Sequence, residues 1–432
     1  MVRRYVVMIS FFVILVTSGC RVSEEGVVTF AVGGAPAELD FWETIVEDFE
    51  HEHGIKVDLV RQPTDTDQRR QGLVIAMKSQ KRDPDVFLMD VAWIAQMAAS
   101  GWLAELDGYV ESGRMDLGVF FDKVLNLSDR YQGRLIALPV YVDGGLLYYR
   151  DDLLQKHGVQ APPETWEQLV MYSQNVQQDV RVNNPQFYGY VWQGAQYEGL
   201  VCNYLEVAAS NSGGILFDDG DLILNVPQNV VALQFMHDLI HTYRISPPST
   251  FTEMKEEEVR FYFQKGDALF ERNWPYAWAL HQGDDSDVKG SVGIAPLPHF
   301  QGGESVSTLG GWHIGISKYS DVTSSAWKFV HYVVSYRTQK RLAMKLGWNP
   351  GRKDVYADDE VLEKLPHFAR LRQVFDEALP RPNLPYYTQI SEVLQRYLNA
   401  AIAGKLPAEA ALVKAEQEAQ RIVDRYSVGE GR

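Results

Sequence analysis

Between residues 27 and 90 the hydrophobic pattern switches period again and again, and that alternation restricts the chain more than any other feature. Residues 27–32 are apolar and β-rich, and Gly33-Gly34 turns the chain. Phe41, Trp42, Ile45, Val46 and Phe49 then recur at helical spacing until Gly54. Residues 55–60 are strand-like, a polar helix is expected over 68–81, and 85–90 (DVFLMD) again has an apolar interior. Strands separated by helical crossovers pair in parallel, because the crossover returns each strand in the same direction. A parallel α/β sheet with helices on both faces is therefore expected here.

A second region begins after Gly133. Strands are expected at 135–140 and 144–149, and a helix at 165–177, led in by Pro162-Pro163. Helical spacing recurs over 230–243, 362–378 and 390–403, and an amphipathic helix fills 408–426. Strands at 292–295 and 313–317 flank a Gly/Pro-rich stretch, 296–311. At about 100–200 residues per domain, 432 residues allow two to four domains. With no repeat and no low-complexity linker, two α/β regions predict a chain that passes between them more than once.

Charge and cysteine usage narrow the function. The net charge is −16, with no basic stripe of the kind a nucleic-acid surface needs. Cys20 and Cys202 lie far apart, which excludes a disulfide scaffold or a Cys-rich zinc module. Residues 1–19 carry Arg3 and Arg4, then an apolar run from Tyr5 to Val16, then Thr17-Ser18-Gly19 before Cys20. This is similar to a bacterial lipoprotein signal, cleaved before Cys20 with lipid on its thiol. The run is short of the roughly 20 residues needed to span a bilayer. Cleavage would take the charge to −18 and leave an exported body tethered on the external side of a membrane. Cys202, in an apolar stretch, reads as a buried inert thiol.

The chain has no Walker loop, G-x-G-x-x-G, H-E-x-x-H or G-x-S-x-G. His51 and His53 are two apart and do not share a helix face, so they read as a solvated helix end and not as metal ligands. Phe217-Asp218-Asp219-Gly220-Asp221 lacks the remaining ligands of a calcium loop and reads as a hairpin turn. Neither a metal nor a cofactor is expected.

What remains is a set of aromatic and carboxylate residues at strand ends and in loops. Asp90 closes an apolar strand, where open α/β sheets bind ligands, and it can equally cap the helix that follows. Glu38 lies just after the first strand. Tyr141 and Asp143 are expected to follow the 135–140 strand, beside Gly144-Gly145, where the chain changes lobe. Trp274-Pro275-Tyr276 and Gly310-Gly311-Trp312 read as aromatic loops, which favours a ligand surface over core. Carboxylates accept from sugar hydroxyls, Arg donates to them, and Trp and Tyr offer rigid apolar platforms. A glycosidase site draws on the same residue types.

From about residue 27 to 426 the chain resembles the extracellular solute-binding proteins of ABC sugar importers, of the maltose-binding type, and within them the trehalose/maltose-binding branch. The resemblance is carried by WQGAQYEGLVCNYLEV (192–207), ALPVYVDGGLLYYR (137–150), FERNWPYAWA (270–279) and LGGWHIGIS (309–317). It implies a two-lobed α/β fold with a multi-segment hinge. Lobe 1 would span 20–137 plus 297–334, and lobe 2 138–296 plus 335–432. A disaccharide of the trehalose/maltose class would sit between closing lobes. On the matching segments Glu38, Thr64, Arg69, Asp90, Tyr141 and Asp143 look like hydroxyl-binding positions. Trp274, Tyr276 and Trp312 resemble the aromatic platforms, Gly311 a backbone approach to the sugar, and Arg381 in LPRPNLPYY an arginine that donates to the ligand. Thr64 and Arg69 read equally as a solvated helix start. The resemblance implies a monomeric, non-enzymatic protein that delivers sugar to the permease subunits of a membrane transporter. A secreted glycoside-processing enzyme and a sugar sensor without transport are the competing classes.

Overall fold

The structure is a computed structural model that describes residues 26–430, apart from 215, 219, 220, 370 and 372–377. The expected signal segment, Cys20 and the Asp219-Gly220 turn lie outside the described residues, although the strands flanking that turn, Phe217–Asp218 and Asp221–Leu222, do pair antiparallel.

Nine strands build the two main sheets. They are β1 (Val28–Gly33), β2 (Val57–Gln62), β3 (Val86–Asp90), β4 (Leu138–Gly144), β5 (Leu146–Arg150), β6 (Tyr188–Val191), β7 (Ala268–Asn273), β8 (Val292–Ala295) and β9 (Leu309–Ile316). The helices that matter for the site are α1 (Pro36–His53), α2 (Thr66–Lys78), α3 (Glu198–Ala209), α4 (Glu256–Gln264), α5 (Tyr336–Leu346), α6 (Tyr387–Ile402) and α7 (Ala408–Glu430).

The first sheet has the order β2-β1-β3-β9-β4, and the second β8-β5-β7-β6. β1 pairs in parallel with β2 and β3, as the alternation over 27–90 predicts. The helix between β1 and β2 buries the periodic stripe Leu39, Trp42, Ile45, Val46 and Phe49, and stops at Gly54, which is left-handed at φ 70°. Trp42 meets Phe30 of β1 edge-on at 5.3 Å, so the helical and strand periods interlock in one core.

One strand of the first sheet, β9, runs against the other four, and it arrives from elsewhere in the chain. β9 pairs antiparallel with both β3 and β4. The chain leaves the first sheet at Gly144, enters the second at Leu146, and returns to the first between Ala295 and Leu309. It thus passes between sheets more than once. Gly145 marks the first passage: a Cβ there would lie 2.2 Å from Glu206 Oε1 and 2.6 Å from Arg272 Nη2. Only glycine lets the backbone pass that buried pair.

Three local expectations change. Tyr141 and Asp143 lie inside β4 and do not follow a strand, because the strand runs to Gly144. Gly310-Gly311-Trp312 is strand and not loop, since β9 starts at Leu309. Glycines carry no β signal of their own, and here they are selected by close backbone approach. The expected 362–378 helix is not continuous: a helix Asp359–Lys364 ends before a break at 365–367, and part of the remaining range lies outside the described residues. His51 and His53 are exposed at the end of α1, the solvated helix end expected of them. Cys202 is buried, and burial pushes its thiol well above the ordinary range. Among the described residues no helix is long and apolar enough to cross a membrane.

Candidate functional site

Antiparallel register gathers the centre of the site. Trp312 of β9 stands opposite Asp90 of β3 on one side and Tyr141 of β4 on the other, while Asp143 stands opposite Gly310. Residues directly opposite, and residues two apart on one strand, share a face. Asp90, Tyr141, Asp143 and Trp312 therefore all point from one face of the first sheet. Gly311 makes this possible. Its φ is 132°, a conformation open to glycine, and a Cβ would lie 2.5 Å from the Tyr141 carbonyl oxygen.

Asp90 fills both roles that its position allows. Its Oδ1 accepts from Ala92 N at 2.9 Å, capping the turn after β3, and lies 3.0 Å from Arg381 Nη2. Asp143 is buried, and its carboxyl is pushed up to about 8 by desolvation first, then by Asp90 and Glu38, with Arg272 pulling the other way. At neutral pH it holds a proton and can donate as well as accept.

Around this centre the first sheet supplies one wall. Glu38 sits in the first turn of α1, where Oε2 accepts from Ala35 N at 2.7 Å and Oε1 from Trp348 Nε1 at 2.9 Å. Burial raises its carboxyl despite those donors. Arg69 of α2 lies with its guanidinium 4.5 Å from the Trp312 ring centroid, held by the carbonyls of Pro63 and Thr64 at 2.6 and 2.7 Å. Arg69 is buried and Thr64 is exposed, so only Thr64 keeps the solvated character that both residues share in the sequence. Trp312 also meets Trp93 edge-on at 5.2 Å.

The second sheet supplies the other wall. Trp274 follows β7, and the Arg272 guanidinium lies 4.0 Å from its ring centroid. Arg272 is fixed by Glu206 of α3, with Nε–Oε2 at 2.8 Å and Nη2–Oε1 at 2.5 Å. The Trp274 indole donates to Glu256 Oε1 at 3.4 Å, and Tyr276 OH to Glu257 Oε1 at 2.7 Å. The walls touch at Gly310, where a Cβ would lie 3.0 Å from the Trp274 ring and 3.2 Å from Asp143 Cβ. Glycine at 310 thus leaves room for an indole of the second wall to pack on β9 beside Asp143.

Arg381 lies behind this surface. Its Nη1 donates to Glu198 Oε1 at 2.9 Å and its Nη2 pairs with Asp90, while Nε is buried without a hydrogen-bond partner. It ties a carboxylate of the first sheet to one that opens α3. At the rim, Lys255 just before α4 pairs with Asp65, the N-cap of α2, and Arg70 of α2 pairs with Glu392 of α6 at 2.7 Å. Between these pairs Asp67 is pushed up to about 6 by burial and then by Glu198.

Trp348, Glu256, Glu257 and the Glu206–Arg272 pair were not singled out in the sequence. Trp348-Asn349-Pro350-Gly351 carries the same kind of signal that marked Trp274, an aromatic beside loop-forming Pro. Glu256 and Glu257 sit in the run Lys255-Glu256-Glu257-Glu258, which reads as a solvated helix start. What the combined surface can do is bind a neutral polyol, with indole faces on both walls and carboxyls between them.

Comparison with known proteins bears on this geometry. Residues 35–340 match the family model described as bacterial extracellular solute-binding protein. A Deinococcus radiodurans protein named "Probable ABC transporter-binding protein" is 34% identical over 402 residues, 92% of this chain and 94% of its own. The structure of maltose-bound MalE3 from T. maritima superposes with a TM-score of 0.87 at 38% identity, covering 92% of this chain and 99% of that one. A Thermotoga lettingae ABC transporter solute-binding protein bound with α-D-tagatose gives 0.83 at 25% identity, covering 92% and 100%.

Proposed function

We propose, from the premise that this chain belongs to the bacterial extracellular solute-binding proteins, that its two walls close on a sugar and present it to an ABC transporter. The chain is of the maltose-binding type, with the two-lobed α/β fold of its structural neighbours. The observation that carries the sugar reading is the contact at Gly310. There the Trp274 indole, which follows the last strand residue of the second sheet, packs on Gly310, the residue opposite Asp143, on the face that also presents Asp90, Tyr141 and Trp312. The neighbours' ligands support it: maltose in one, tagatose in another.

The finer proposal is an α-linked glucose disaccharide, maltose or trehalose, bound by Glu38, Asp90, Tyr141, Asp143, Trp274, Tyr276 and Trp312 and by the backbone at Gly311. Arg69 acts over the Trp312 ring, Arg381 behind Asp90, and Thr64 at the rim. The lobes divide the chain at the sheet passages, near Gly145 and within 296–308, with the segment after 334 making a further crossing. The protein is a lipid-anchored monomer on the external side of a membrane, held through Cys20, and it hands its sugar unchanged to permease subunits.

A thermal-shift and calorimetry screen of the purified body against maltose, trehalose, sucrose, glucose and tagatose tests the ligand. A sugar at 100 times its Kd stabilises the protein by about 2.7 kcal/mol. Chromatography after incubation should return the sugar intact, and accumulation of monosaccharide would favour a glycosidase. Scattering should show a smaller radius of gyration with sugar bound, since ligand favours the closed form by its differential affinity. Fatty-acid labelling that vanishes in Cys20→Ala tests the anchor.

A further inference from the structure

We propose that Trp348 is a positioning residue of the ligand site: one indole that aims Glu38 from α1 and holds Tyr141 of β4 at the same time. The inference rests on the proposal that Glu38 and Tyr141 bind sugar.

Trp348 is buried, 3% exposed, and follows α5 after the Gly347 cap. Its ring centroid lies 4.2 Å from that of Tyr141 at an interplanar angle of 37°, and 6.1 Å from Trp42. Its Nε1 donates to Glu38 Oε1 at 2.9 Å. The indole is not free to drift, because the segment after it is stitched along β4. Val142 N donates to Asn349 O at 2.9 Å, Gly351 N donates to Val140 O at 3.1 Å, and Tyr141 forms a bridge with Pro350. The position of Trp348 is thus set by β4, and Glu38, on a different element, is set by Trp348.

A carboxylate offers about four acceptor sites, and here two are used, one by Ala35 N and one by the indole. The remaining lone pairs are left for ligand hydroxyls, in a plane that the two donors define. Loss of the indole N–H would free the carboxylate to rotate about its last torsion. It would also remove one of the donors that favour the ionised form against the burial that raises this carboxyl. The charged and titratable groups facing Glu38 are Arg69 from α2, which favours the ionised form, Glu257 from α4, which opposes it, and Tyr141 and Asp143 from β4.

The test is calorimetry with maltose, and trehalose and glucose alongside, from about pH 4.5 to pH 7.5, on wild type, Trp348→Phe, Glu38→Gln and the double variant. Phenylalanine keeps an aromatic ring against Tyr141 and removes the donor. Trp348→Phe should weaken binding about tenfold at neutral pH, the scale of one hydrogen bond to a charged group. Its acid loss of affinity should set in at higher pH than that of wild type. In the Glu38→Gln background the same substitution should cost less than half as much and move no titration. Equal losses in both backgrounds, or a Trp348→Phe profile that matches wild type, would overturn the inference while leaving the sugar site standing. Wild-type protein that binds none of these sugars overturns the reading of the site, and the inference with it.

Discussion

Trp312 and Trp274 each lie under a guanidinium, one on each wall, and the two arginines are held by opposite means. Arg69 over Trp312 is anchored by neutral backbone carbonyls of Pro63 and Thr64. Arg272 over Trp274 is anchored by the Glu206 carboxylate, in a pair only 1–2% exposed on either side. A backbone anchor needs only a local turn, and Arg69 finds it within a few residues of its own helix. A carboxylate anchor needs a second element, and Glu206 comes from α3. The same indole-and-guanidinium device is therefore a local feature in the first wall and a tertiary one in the second. That pair also sits over the passage at Gly145 and accepts from Thr308 N at 3.1 Å, so it serves the crossing as well as the site.

Breaking the anchors separates the two cases. Arg272→Met strands a buried carboxylate and should cost about 3–5 kcal/mol of stability. Arg69→Met leaves two carbonyls short of a donor and should cost about 1–3 kcal/mol. Urea denaturation of both variants checks this. Equal midpoints would mean that the Glu206–Arg272 pair is no more than a solvent-relieved contact.

Removing the platforms tests the other half of the comparison. Trp312 is 8% exposed and packs on Trp93, whereas Trp274 is half-buried in a loop after β7. Each truncation to Ala should cost at least about 2 kcal/mol of sugar binding, the scale of an aromatic hot spot. Trp312→Ala should also lower the melting temperature of the empty protein, and Trp274→Ala should leave it near wild type. Unchanged affinity in both would place the sugar elsewhere.

How well each wall could be read from the sequence follows the same division. β1 and β3 are apolar runs and β2 carries a shorter strand-like pattern, parted by helices, so their parallel pairing follows from period alone. β7 reads ALFERN, and Glu271 with Arg272 inside it disguises a strand, because nothing local shows that both charges are paired in the interior. Gly310-Gly311 hides the start of β9 for a different reason: its glycines answer to the Tyr141 backbone and the Trp274 ring, both distant in sequence. Asp90 was legible as a strand-end carboxylate and as a cap, and it is both in position and in hydrogen bonding. Its tie to Arg381, in an irregular segment far along the chain, is a tertiary contact, which periodicity does not report.

Asp143 stands opposite Gly310, where the walls meet, and there the comparison becomes one of pH. Unfolded, this carboxyl titrates near 3.8; folded, it is pushed up to about 8. Between those values the folded chain holds a proton that the unfolded chain has released. Stability from this site is therefore lost as pH rises from about 4 to about 8, at up to about 1.4 kcal/mol per unit. Asp143→Asn removes that slope. It should match wild type near pH 4 and be the more stable protein at pH 8. Melting curves across that range check it, and parallel curves would mean that Asp143 is ionised in the folded state.

The smallest expected effect lies at the rim, where wall meets wall through charge and not through rings. Asp65–Lys255 and Arg70–Glu392 each join α2 to an element beyond the first sheet. Their side chains are 11–59% exposed, so each pair is worth about 0–1 kcal/mol. If the walls part when the cleft is empty, these pairs exist only in the closed form and contribute to the affinity for a sugar that carries no charge. Salt screens such pairs, and the Debye length falls to about 3 Å at 1 M. Raising the salt to about 0.5 M should then weaken sugar binding about two- to fivefold, within the worth of one pair. Lys255→Asp should weaken binding at low salt and abolish most of that salt dependence. The exchange of both partners, Asp65→Lys with Lys255→Asp, should restore part of each. A sugar affinity indifferent to salt in the wild-type protein would show that the rim pairs persist in the open form, leaving closure to the indoles and carboxyls of the two walls.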